Sequence, residues 1–180
     1  AFAKAKPGAL KCGSAGYGCA GHLAMEYLKL VTGTHIVHIP YRGTGPQLQD
    51  LLAGRTEASS AGTPPRLPHV RDGRLKAIAV GMSERIAALP DVGTVAEQGY
   101  PGFETSQWYG LIAPAGTPPE VVQKIAQHAT QALRSGPITA RFANDNALGA
   151  GGTPADFARF IQKEQERWSR VVRQADIRLD

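Results

Sequence analysis

Cysteine occurs only twice in the 180 residues, at Cys12 and Cys19. Two are too few for a disulfide scaffold, and their separation lacks the paired pattern of a zinc site. Long apolar runs are missing as well. None approaches the roughly 18 residues of a membrane helix, and the opening Ala1-Phe2-Ala3-Lys4-Ala5-Lys6-Pro7 has no apolar core of signal-peptide length. The chain as given is expected to be soluble, and its compartment stays open because a leader is removable. Acidic residues are the minority: 15 Asp and Glu face 20 Lys and Arg, a net charge of +5. That balance favours anionic partners. The basic side chains are scattered, however, with Pro and Gly interrupting Arg55, Arg66, Arg71, Arg74, Lys76 and Arg85. A nucleic-acid reader concentrates its charge on one helix or stripe with stacking aromatics, so no nucleic-acid partner is expected.

What is plentiful is punctuation. With 21 Gly and 13 Pro among 42% apolar residues, short apolar runs alternate with amphipathic stretches, the pattern of an α/β fold of one domain or two small lobes. A strand around Lys11 to Gly13 feeds a glycine-rich loop, and Leu23, Tyr27, Leu28 and Val31 recur at helical period until Gly33. His35 to Ile39 reads as a β-branched strand, Gln47 to Leu52 as a helix opened by Pro46, and Glu57 to Ser60 as a weak strand. Leu75 to Val80 reads as a buried strand, Val95 to Glu97 as a helical turn, and Trp108 to Ala113 as another strand. Beyond it the chain turns helical. Thr117-Pro118-Pro119-Glu120 and Thr153-Pro154-Ala155-Asp156 each offer a Thr cap, an early Pro and a carboxylate three residues after the cap. The first helix should bury Val121, Val122, Ile125, Ala129 and Leu133, the second Phe157, Phe160, Ile161, Trp168 and Val172. The change of character at 108–117 marks the expected lobe boundary.

Ser14-Ala15-Gly16-Tyr17-Gly18-Cys19-Ala20-Gly21-His22 lies between a predicted strand and a predicted helix. Unpaired N–H groups and the positive end of the helix dipole suit a carboxylate or phosphate there, and glycines let it approach the backbone. The same glycines would also serve a plain tight turn. Gly16, Gly18 and Gly21 satisfy G-x-G-x-x-G, but the lead-in Leu10-Lys11-Cys12-Gly13-Ser14 is weakly apolar and Tyr41-Arg42 replaces the expected acid. Arg42 could face a 2′-phosphate, which keeps an NADP-binding oxidoreductase as the alternative. Tyr41-Arg42-Gly43-Thr44 again lies between strand and helix, so in a parallel sheet it shares a crevice with the first loop. Thr44 offers a donor, Tyr41 a wall and Arg42 a cation, or else Arg42 is a solvated charge and Tyr41 a packing residue. Catalysis is poorly supported: no serine sits in a G-x-S-x-G elbow, and His22, His35, His38, His69 and His128 are dispersed. Of these only His22, just after the glycine loop, stands out. Cys19 at a helix start lacks an evident base.

Several stretches together resemble the Bug-type (TctC-like) periplasmic solute-binding proteins of tripartite tricarboxylate transporters. They are Ser14-Ala15-Gly16-Tyr17-Gly18 with His22-Leu23, His38-Ile39-Pro40-Tyr41-Arg42-Gly43-Thr44-Gly45-Pro46, Leu67-Pro68-His69, and Leu75 to Val80. Leu89 to Glu97, Trp108 to Pro118 and Gly152-Thr153-Pro154 complete the set. The resemblance implies a two-lobed clamp that captures small organic carboxylates without chemistry and delivers them to membrane subunits, with no cofactor or metal. It also implies that Ser14, Ala15, Gly16, Tyr17, Gly18 and Cys19 hold a ligand carboxylate, and that Tyr41, Arg42, Gly43 and Thr44 line the same cleft. Residues 8–107 then resemble the ligand-binding second lobe and 108–180 the C-terminal part of the first, whose N-terminal part is expected to be absent. Ala15 and Cys19 stand where the family commonly has hydroxyls, and Ala61-Gly62 where it has an Asp-Asn pair, so a non-binding remnant or regulatory module is a third reading. Helices lacking their usual sheet are expected to expose Val122, Ile125, Phe160 and Trp168 and to favour a homodimer.

Overall fold

Residues 2–144 and 147–178 are described by the computed structural model, which divides into two units, Ala1–Gln107 with Trp168–Asp180, and Trp108–Arg167. Three short strands organise the first unit: β1 (Lys11–Ser14), β2 (Val37–Pro40) and β3 (Ala58–Ser59), all parallel, in the order β2-β1-β3. The central position of β1 explains why Cys12, Gly13 and Ser14 are buried. Around the sheet run α1 (Phe2–Ala5), α2 (Ala20–Thr32), α3 (Thr44–Leu52) and, after a 3₁₀ turn at Pro64–Arg66, α4 (Leu67–Arg71). Cys12, Met25 and Ile36 form the core, with Ala3, Leu10 and Ala58 packed against it.

Local chemistry sets the element ends. β2 begins later than its β-branched run suggests, because Gly8 N–H takes the His35 carbonyl and the ladder starts with Val37 N–H on Leu10 O. α2 ends at Gly33, in the left-handed region at φ 61°, whose N–H closes on Lys29 O. α3 starts earlier than expected, at Thr44, with Gly43 (φ 105°) as its cap. Pro46 falls in the first turn, where its missing N–H leaves no gap. A helical turn does follow Thr94, with Gln98 N–H on Thr94 O, and Thr94 and Glu97 cap each other's backbone N–H groups. Phe103 stacks on Tyr27 with ring centroids 4.8 Å apart.

The expected strand at 75–80 does not form. Among the described residues only Val80 of this run pairs with another backbone as a strand would, in a bridge to Thr94, and Ile78 is 71% exposed. An apolar run becomes a strand only where a neighbouring backbone offers a ladder, and here that offer is a single residue long.

In the second unit the expected strand at 108–113 is likewise irregular backbone, with Tyr109, Leu111 and Ile112 mostly exposed. α5 (Pro119–Leu133), α6 (Gly136–Asn144) and α7 (Pro154–Gln174) follow, the last seven or so residues of α7 counting with the first unit. The α5 cap is Pro118 rather than Thr117, whose hydroxyl donates back to Pro114 O at 2.8 Å. At α7 the expected box is present: Thr153 Oγ1 accepts from Asp156 N–H while Asp156 Oδ2 accepts from Thr153 N–H. Trp108 meets Phe157 and Phe160 edge-on, and Gly110 sits against the Phe157 ring. The burial expected of α5 fails, since none of its residues is buried. No strand among the described residues of 108–167 gives that helix a sheet to pack on. α6 went unnoticed in the sequence, although Pro137 in its first turn and the Ile138, Phe142 spacing are its signal.

Candidate functional site

The loops after β1 and β2 leave the same edge of the sheet. Ser14 pairs in register with Pro40, Tyr41 N–H donates to Ser14 O, and Gly43 N–H donates to Ala15 O, each at 3.0 Å. These bonds tie the two expected ligand segments into one surface. Gly16 (φ 148°) and Gly18 (φ 67°) make the tight course possible. Their own amides are spent inside the loop: Gly16 N–H donates to Ser14 Oγ at 3.2 Å and Gly18 N–H to His22 Nδ1 at 3.0 Å. The amides of Ala15, Tyr17, Ala20 and Gly21 carry no hydrogen bond among the described residues. Together with the dipole of α2 they leave unpaired donors and a positive potential beside glycines that keep the backbone approachable. Cys19 is the N-cap of α2, its sulfur accepting from His22 N–H at 3.4 Å. A thiol thus does at the cap what a hydroxyl would otherwise do.

Two histidines support this loop from below. His22 and His38 stack with ring centroids 3.8 Å apart and planes 10° from parallel, and Tyr17 meets both edge-on. His38 Nε2 lies 2.7 Å from Ser14 Oγ, and His22 Nε2 lies 3.6 Å from Glu26, which Lys29 also contacts at 2.8 Å. Burial pushes both histidines down, His38 to about 4 with His22 and then Lys29 adding to the effect; Glu26 partly opposes the shift at His22. Both rings are therefore neutral at physiological pH. Tyr17, His22, Glu26, Lys29 and His38, with Ala175–Arg178, line a hollow of about 770 Å³. His38 escaped the sequence reading, which singled out His22 alone. The signal was there in the period of two: on neighbouring parallel strands, Cys12 and Ser14 of β1 share a face with His38, the register partner of Cys12.

Tyr41 lays its ring near Gly13 and donates its hydroxyl to Asp50 at 3.0 Å, with Arg55 closing the group at 2.7 Å from Asp50. Burial, then Asp50, raises the Tyr41 pKa, while Arg55 and Tyr41 lower that of Asp50. Arg42 is exposed and has no ion-pair partner among the described residues; Thr44 opens α3 half-buried. Ala61 is exposed, and the Gly62 carbonyl accepts from Arg66 Nη1 at 3.0 Å. Sequence reading missed that Arg66 is buried and bonds the fully buried Gln47 through Nη2, while Gln47 Nε2 and Arg66 Nε have no partner among the described residues. No group of three His, Cys, Asp or Glu able to hold a metal occurs among the described residues.

Against known proteins, residues 1–177 match the family model for the tripartite tricarboxylate transporter family receptor. The chain is 38% identical to Protein BugT of Bordetella pertussis over 98% of its own length and 54% of that protein. Among solved structures it is similar to R. palustris Rpa4515 with adipate, at a TM-score of 0.90 and 34% identity over 98% of this chain and 59% of that one. It is also similar to MatC (Rpa3494) from Rhodopseudomonas palustris with bound malate, at a TM-score of 0.82 and 30% identity over 95% of this chain and 59% of that one. The chain spans between half and three fifths of the length of these proteins. With a family model matched over nearly every residue and the paired loops in place on a parallel sheet, the chain belongs to the tripartite tricarboxylate transporter receptor family.

Proposed function

We propose that this chain is the anion-gripping part of a periplasmic solute receptor, which holds a small organic carboxylate without making or breaking a bond and presents it to the membrane subunits of a tripartite transporter. The observation that carries this reading is the set of uncommitted amides at Ala15, Tyr17, Ala20 and Gly21, on a loop joined to the Tyr41–Thr44 segment by two backbone hydrogen bonds. Such a surface takes a carboxylate as a helix start takes any anion, by aimed N–H groups and a favourable dipole. Arg42, exposed beside it, adds long-range attraction for a negative ligand. The family's carboxylate-bound members, one with adipate and one with malate, point to the same class of ligand.

Affinity is the measurable consequence. A micromolar receptor needs about 8 kcal/mol, a charge-assisted hydrogen bond contributes roughly 1.5 to 3 kcal/mol, and association itself costs several kcal/mol. One loop and its neighbour therefore hold a carboxylate at about millimolar strength. Calorimetric titration of the chain with mono-, di- and tricarboxylates is expected to give that range, with sedimentation run on the same samples. The exposed apolar positions Ile125 and Phe160 are faces a second copy would cover, so sedimentation is expected to report self-association. Micromolar binding by a demonstrated monomer, or indifference to every carboxylate, would overturn the reading.

A further inference from the structure

The fold gives the ligand loop a support that the family resemblance does not mention. Gly18 N–H can donate to His22 Nδ1 only while that nitrogen is bare, which fixes His22 as the neutral tautomer with its proton on Nε2, toward Glu26. A second proton would put an N–H against an N–H at 3.0 Å, and the bond would be lost. His38 is different. Its Nε2 faces the Ser14 hydroxyl, which can donate or accept, so a charged His38 keeps that contact. What His38 does contribute is a ring stacked 3.8 Å from His22, so a charge on either ring disfavours a charge on the other.

The surroundings of His22 come from every neighbouring element. Glu26 and Lys29 face it from α2, Tyr17 and Cys19 from the loop, His38 from β2, and Asp176 and Arg178 border the same hollow from the C-terminal segment. Buried Cys12 of β1 lies within the field of Glu26 and Lys29. His22 is only 4% exposed, behind the loop and not on it, so a positive charge there would fall on Glu26 at 3.6 Å before it reached a bound anion.

We propose that neutral His22 is a positioning residue for the anion loop, accepting the Gly18 amide so that the Ala15 and Tyr17 amides stay aimed outward, and that protonation of His22 releases the loop together with its carboxylate. This inference rests on the carboxylate reading of the same loop for its ligand, while the loop itself can be followed without one. Two measurements decide it. Adipate affinity, measured by calorimetry from about pH 8 to about pH 5, is expected to fall in the native chain by an amount approaching about tenfold per pH unit once His22 takes its proton. In His22→Asn, whose Oδ1 stands near the place of Nδ1 and does not titrate, only the fall due to adipate's own protonation is expected. Parallel profiles in the two proteins would overturn the proposal.

The second measurement needs no variant and no ligand. Hydrogen exchange at the Gly18 amide, corrected for the intrinsic rate, is expected to lose protection in step with the titration of the His22 ring followed by nuclear magnetic resonance. Protection indifferent to the state of His22 would sink the proposal whatever the affinities. Should Gly18 follow His22 while adipate binds at no pH, the positioning role stands and the carboxylate reading falls.

Discussion

Replacing Gly21 by alanine is expected to destabilise the chain by about 3 kcal/mol or more, enough to shift its unfolding midpoint in urea far to lower concentration. A Cβ built at Gly21 would lie 2.1 Å from the Ser60 carbonyl oxygen and 3.0 Å from its carbon, both backbone atoms. No rotamer relieves such a contact. Either the start of α2 lifts from the end of β3, carrying the loop after Gly18 with it, or the backbone after β3 gives way. Gly45→Ala is the matched control: its Cβ would meet nothing within 4 Å, and the residue lies inside α3 with no positive φ. There alanine is expected to stabilise by up to about 1 kcal/mol, through helix propensity and a less mobile unfolded chain. Equal effects at the two sites would mean that the tight α2–β3 approach is not what holds this edge together.

The second large effect is expected at Gln47. This side chain is wholly buried, its amide wedged beside Gly13 and its oxygen accepting from Arg66 Nη2. Among the described residues no carboxylate is paired with that guanidinium, whose pKa burial lowers. Truncating Gln47 to alanine removes an acceptor from a buried cation and opens a void, so a loss of about 3 to 5 kcal/mol is expected in equilibrium unfolding. Replacing both partners by apolar residues of similar size, Gln47→Leu with Arg66→Met, removes charge and orphaned donors together. The double variant is expected to lie within about 1 kcal/mol of the native chain, or above it. If Gln47→Ala alone cost under about 1 kcal/mol, the Gly62 carbonyl on Nη1 would be enough for the guanidinium and this account of the Gln47 contact would fail.

How much of this was legible depends on how local the cause was. The turn at Gly16 and Gly18, the stop at Gly33 and the Thr153–Asp156 box rest on residues within a few positions of each other, and each reads directly from the chain. The paired loops follow from the βα alternation once the sheet is parallel. The runs 75–80 and 108–113 look the same in composition as true strands, yet a strand is a property of two backbones, and only Val80 met one. The Gln47–Arg66 contact and the stacked histidines bring together residues separated by 19 and 16 positions. Neither pairing has a periodic signature strong enough to announce it. The β1–β2 register places His38 opposite Cys12, but His22 reaches it from α2, which no strand register announces.

The two thiols differ in reactivity. Burial pushes Cys12 up to about 12, while Cys19 stands half-exposed at the cap of α2. Toward an alkylating dye near neutral pH the folded chain should therefore behave as though it had a single reactive sulfur. The sequence thus carries a handle for one fluorophore at the rim of the loop proposed to hold a carboxylate, where that occupancy can be tested optically.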